Sequence, residues 1–119
     1  MNPIEIAQLA TLILDEKKAR DIVVLKTFDV TVLADYFIIA TAGSVRQIKA
    51  LADELADRVA EAGEPALRPV RKQDNNTWML IDFGSVIVHI FTEETRQFYD
   101  LERLWGDATP VKVNKGKFV

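Results

Sequence analysis

The chain has 119 residues, with 15 Lys and Arg against 18 Asp and Glu, a net charge of −3, and 49% hydrophobic residues. That is one domain's length with an ordinary globular composition, which excludes disorder as the main state. The acidic balance argues against binding nucleic acid mainly through phosphates, and the absence of cysteine removes disulfides, thiol catalysis and thiolate metal sites.

Asn2 can cap a first helix, with Pro3 at its first position and Glu5 three residues after the cap. Ile6, Leu9, Ala10, Ile13 and Leu14 then recur at helical spacing, and Asp15 to Arg20 is a charged exit. The start carries neither the basic and apolar run of a secretory signal nor an Arg-rich transit pattern. Apolar runs are far shorter than the roughly 20 residues that span a bilayer, so a cytosolic protein without a membrane partner is expected.

Ile22 to Leu25 is a short β-branched run that predicts a buried strand. Phe28 to Ala34 reads as a connection and Tyr36 to Thr41 as a second strand. Gly43 and Ser44 end it, and Ser44 with Gln47 forms a second capping-box pattern. Ile48, Leu51, Ala52, Leu55 and Val59 share one face of the following helix. Gly63 fits the position just past its end, and Pro65 prevents continuation.

Leu67 to Val70 predicts a short edge strand, where Pro69 cannot donate to a ladder. Asp74, Asn75 and Asn76 mark a turn. Trp78 to Phe83 and Val86 to Phe91 read as a hairpin about Gly84 and Ser85. Thr92 can cap a last helix from Glu93 to Trp105, closed by Gly106. The order α, β, β, α, β, β, β, α implies an α/β fold of the α+β type: one domain over residues 1–109, with a mixed sheet of about five strands and packed helices. Its central strand–helix–strand unit favours a right-handed parallel crossover. Residues 110–119, with Lys112, Lys115 and Lys117, read as a flexible tail.

Catalytic patterns are sparse. His89 is the lone histidine and lies in a β-branched strand, which argues against zinc and for a satisfied structural or interface histidine. Ser44 and Ser85 are explained by capping and turn chemistry. Thr41 to Ser44 joins a strand to a helix start and leaves a weak phosphate-binding alternative. A nucleotidyl-transfer enzyme is the sharpest catalytic alternative. It needs converging carboxylates for Mg²⁺, and the later strands offer only Asp82, with no Asp-x-Asp in the chain. No enzyme activity, cofactor or metal is therefore expected.

Strand alternation puts Trp78 and Leu80 on one face with Asp82, and Ile87, His89 and Phe91 on one face of the next strand. Phe98, Leu101, Leu104 and Trp105 form an apolar stripe on the last helix, with Tyr99, Asp100, Glu102 and Arg103 beside it. From Glu93 to Asp107 five acids face two bases. Most of the aromatics belong in a core, yet some sheet surface is expected to meet another chain, and an acidic helix suits a basic protein.

Two blocks then resemble a known family. Residues 34–41 (Ala-Asp-Tyr-Phe-Ile-Ile-Ala-Thr) with 44–52, and residues 86–91 (Val-Ile-Val-His-Ile-Phe) with 96–107, are similar to the ribosomal silencing factors, also called Iojap-related. The resemblance implies a nucleotidyltransferase-like fold lacking the catalytic carboxylates. It implies binding to the large ribosomal subunit through its fourteenth ribosomal protein, a basic protein, and steric obstruction of small-subunit joining that represses translation. It implies homodimers when free, and organelle relatives point to ribosome biogenesis as a second role. Ribosomal RNA would be a secondary contact at most. Within that frame Trp78, Leu80, His89 and Phe91 are the expected apolar anchors. Tyr99, Asp100 and Glu102 are the expected polar and charged contacts.

Overall fold

Local chemistry starts and stops the two long helices. The structure, a computed structural model, describes residues 1–68, 70–73 and 76–119. Helix α1 (Pro3–Glu16) opens on a complete capping box, in which Asn2 accepts from the Glu5 N–H and Glu5 accepts from the Asn2 N–H. Helix α2 (Val45–Glu61) opens on Ser44, which accepts from the Gln47 N–H. The Gln47 side chain reaches one residue further back than a standard box and takes the Gly43 N–H. The end of α2 is a Schellman motif, with Gly63 N–H on Ala60 O and Glu64 N–H on Val59 O. Gly63 has a φ of +104°, as that position requires.

Strand β1 (Arg20–Lys26) is followed by β2 (Tyr36–Ala42), β3 (Arg71–Gln73), β4 (Trp78–Asp82) and β5 (Val86–Thr92). After α3 (Glu93–Tyr99) and α4 (Leu101–Leu104) come β6 (Thr109–Val111) and a small hairpin, β7 (Val113–Asn114) with β8 (Lys117–Phe118). The main sheet runs β3-β4-β5-β2-β1-β6. Among the described residues the one parallel pair is β2 with β5, reached through α2, β3 and β4. All other pairs are antiparallel, so the sheet is mixed, as expected.

The two faces have separate cores. Helices α1 and α2 cover one face, closing over Ile38, Val88, Ile90 and Ile81 with Ile13, Leu14, Ile48 and Leu55. On the other face Leu25, Phe37, Ile39 and Phe91 pack beneath Trp105, Leu101 and Trp78. Strand β2 is buried at all seven positions because it is sandwiched between both layers.

Four expectations differ from the structure. The edge strand lies at Arg71–Gln73 and not at Leu67–Val70; Leu67 and Arg68 form a bend, and the Leu67 N–H donates to Asp82 O at 2.8 Å. Pro69, Asp74 and Asn75 lie outside the described residues, while Asn76 takes a turn conformation with φ +68°. The last helix breaks at Asp100, whose φ of +46° separates α3 from α4. Thr92 makes no capping bond to the backbone; its hydroxyl bonds that of Thr95.

The fourth difference is the C-terminal segment, which is not a loose tail. Strand β6 is the sixth strand of the sheet, paired to β1 with Thr109 opposite Lys26 and Val111 opposite Val24. The β7–β8 hairpin is clasped to α1. Gln8 donates through Nε2 to Gly116 O and accepts through Oε1 from the Phe118 N–H, both at 2.8 Å. Gly116 comes so close to α1 that a Cβ there would stand 2.9 Å from Asp15 Cβ.

Candidate functional site

The β4–β5 ladder assembles the expected aromatic residues. Its register sets Trp78 opposite Phe91, Leu80 opposite His89 and Asp82 opposite Ile87, all on the face away from α1 and α2. Trp78 stacks on Phe91 at 4.9 Å, and Tyr99 of α3 leans on the same indole at 4.9 Å. His89 meets the edge of Phe37 at 5.3 Å, and Phe37 meets Trp105 at 5.1 Å. Four elements and the residue that follows α4 thus share one aromatic cluster.

Burial divides the seven expected contacts. Trp78, Leu80 and Glu102 are half-buried, and Tyr99 and Asp100 are exposed. His89 and Phe91 are interior, 5% and 1% exposed, under Trp78 and the C-terminal helices. These two are therefore corrected: the chain's own layer covers them, so they support the surface without forming it. Conversely, Phe98 and Leu104 of the expected apolar stripe are 79% and 71% exposed. They lie on either side of the break at Asp100 and line a shallow cleft of about 600 Å³ with Tyr99, Asp100 and Arg103.

His89 is not fully satisfied. Its Nδ1 accepts from the Trp78 Nε1–H at 3.2 Å, which places the ring proton on Nε2. That Nε2 is buried and has no hydrogen-bond partner among the described residues. Burial pushes the imidazole pKa down to about 4.

One residue of the site had no signal in the sequence. Arg96 holds the broken helix in place: Nε bonds Glu102 at 2.9 Å, and a terminal nitrogen donates to Asp21 O at 2.7 Å and to the Thr41 hydroxyl at 2.8 Å. The Asp21 carbonyl is in reach because β1 is irregular between Arg20 and Val23, with Asp21 at φ +50°. Only the burial and topology of the folded chain reveal this link. With Arg96 tied to Glu102, the carboxylates of Glu94, Asp100 and Asp107 remain as exposed acids of the segment from α3 to β6.

Chemistry elsewhere is limited. The α2 start that could bind a phosphate is filled by the chain itself, since Gln47 takes the Gly43 amide. Asp82 accepts from the Gly84 N–H at 2.8 Å and serves the β4–β5 turn. Among the described residues no three His, Asp or Glu side chains gather as a metal site. No helix among them is long and apolar enough to cross a membrane.

Comparison with known proteins gives consistent matches. The family model described as ribosomal silencing factor during starvation matches residues 1–118. The ribosomal silencing factor RsfS of Bacillus subtilis is 38% identical over 116 residues, covering 98% of each chain. A crystal structure of a Chromobacterium violaceum protein superposes with a TM-score of 0.84 at 38% identity, covering 89% of this chain and 88% of that one. A mouse protein named for mitochondrial assembly of the ribosomal large subunit is 31% identical over 96 residues, 78% of this chain and 42% of its own length.

Proposed function

We infer the function from one premise: the chain belongs to the ribosomal silencing factor family. We propose that it docks on the large ribosomal subunit through the fourteenth ribosomal protein and blocks joining of the small subunit, so that translation falls. The mechanism is steric, with no bond made or broken. The observation that carries this reading is the outward surface of Trp78, Leu80 and Tyr99 beside the exposed Asp100 carboxylate. An aromatic anchor with an acidic rim complements a basic protein. Glu102, half-buried beside it, is paired with Arg96 and holds the broken helix that carries Tyr99 and Asp100. His89 and Phe91 brace Trp78 from beneath.

Scale favours the proposal. A specific interface takes roughly 600–1,000 Å² from each partner. The chain exposes 6665 Å², so one face of it suffices. Contacts to ribosomal RNA are secondary in this reading, the compartment is the cytoplasm, and the free protein pairs with a second copy.

Co-sedimentation with purified large subunits tests the proposal, followed by addition of small subunits to score joining. Binding with inhibited joining is expected. Large subunits that pellet without the protein would end the proposal. A second reading, a part in assembling the large subunit, is favoured by the name of the mouse relative. It predicts accumulation of immature large subunits when the gene is deleted in rich medium.

A further inference from the structure

We propose that His89 is a positioning residue: through Nδ1 it holds the Trp78 indole in the orientation that docks on the partner. The inference rests on the reading of the Trp78 surface as the contact face.

A histidine suits this position poorly. The rings around it are apolar or aromatic: among the described residues Phe37, Phe91 and Trp78 pack against the imidazole, which is 5% exposed. A phenylalanine or leucine would fill such a pocket without burying polar atoms. Among the described residues the imidazole leaves Nε2 with no partner, which opposes folding. The polar contact it makes in exchange, the one among the described residues, is the bond from Trp78 at 3.2 Å.

That bond supplies what stacking cannot. Phe91 beneath Trp78 and Tyr99 beside it hold the indole by its faces. Ring contacts of this kind tolerate rotation of the indole in its own plane or a flip about its side-chain bond. A directional N–H···N bond does not, because it weakens steeply off axis. The acceptor is itself rigid, since the imidazole is wedged edge-on against Phe37 and lies parallel to Phe91, 11° from its plane. The edge of Trp78 presented outward is thereby fixed before any partner arrives, which reduces the ordering cost of binding.

The test uses the full chain with two substitutions. His89→Phe keeps the ring and removes the acceptor. His89→Asn removes the ring and keeps an oxygen near the Nδ1 position. Binding to purified large subunits is measured by sedimentation, and the Trp78 indole Nε1–H resonance by NMR. His89→Phe is expected to move that resonance and weaken binding by roughly tenfold, the scale of one lost hydrogen bond. His89→Asn is expected to restore most of both. Unchanged binding by a folded His89→Phe protein overturns the proposal, as does failure of His89→Asn to recover binding. Should neither variant fold, the wild-type tautomer decides: a proton on Nδ1 overturns the proposal, and a proton on Nε2 sustains it. If the wild-type protein itself does not bind large subunits, the functional reading falls and this inference falls with it, an outcome distinct from loss in the variants alone.

Discussion

The guanidinium of Arg96 bonds the hydroxyl of Thr41 at 2.8 Å across 55 residues of sequence. The same side chain ties α4 through Glu102 and the β1 irregularity through Asp21. It therefore sets where the broken C-terminal helix lies on the sheet.

Arg96→Ala should lower stability by about 2 kcal/mol, since it removes three bonds and strands partly buried partners. Arg96→Lys should recover little, because an ammonium cannot reproduce the planar fork. Urea melts of the three proteins check this. Equal midpoints would show that α3 and α4 stay seated by apolar contact alone.

Asp100 allows its backbone and carboxylate to be separated. At φ +46° a glycine fits better than any other residue, so Asp100→Gly keeps the break between α3 and α4 and deletes the charge. Its melting temperature should stay within a few degrees of wild type, while large-subunit binding weakens by roughly tenfold. Retained binding would remove Asp100 from the contact surface. Tyr99→Ala, which trims the exposed ring beside Trp78, should weaken binding by at least as much.

Stability should depend on pH through His89. Its folded pKa of about 4 lies below the ordinary 6.5, because burial disfavours the charged ring. The unfolded chain therefore binds the extra proton first as pH falls. The neutral ring's contribution is fully present above about 6.5 and is lost progressively down to about 4, by about 3 kcal/mol in all. The difference between wild type and His89→Phe isolates this from the carboxylates. Wild type should lose stability relative to the variant between pH 6.5 and 4. Parallel curves would contradict a buried neutral imidazole.

Two glycines with positive φ make a matched pair. A Cβ on Gly116 would meet Asp15 Cβ at 2.9 Å and Leu12 Cα at 3.1 Å, whereas nothing lies within 4 Å at Gly63. Both alanine variants carry backbone strain, of about 1–2 kcal/mol. Gly116→Ala adds steric displacement of the hairpin from α1, so it should melt lower than Gly63→Ala by about 1–3 kcal/mol. Thermal melts of the two side by side decide the order.

Local chemistry made much of this fold legible. Asn2, Ser44 and Gly63 act within four residues of their partners, and the period-2 alternation of β4 and β5 sorted Trp78, Leu80, His89 and Phe91 onto one face correctly. The errors share a physical origin in contacts distant along the chain. No Gly or Pro announces the break at Asp100, which is held by an arginine bonded to β1 and β2. The C-terminal segment has neither helical nor clear strand periodicity, yet Gln8 secures it from 108 residues away. Alternation also does not say which face the chain covers for itself. That is why His89 and Phe91 read as contacts until Trp78 and α3 were placed over them.

Strand β6 has a consequence for biosynthesis. Before residues 109–111 leave the ribosome, β1 has one flank paired to β2 and the other open. At about 5–20 residues per second that open edge persists for several seconds on every nascent chain. An unpaired strand edge is a template for pairing with other chains. The bulge at Asp21 and the charged Arg20 and Lys26 at its ends blunt it during that interval. The protein is therefore exposed to misassociation most in the moments before the sixth strand of its main sheet is delivered, and a stop codon just ahead of Thr109 would make that interval permanent.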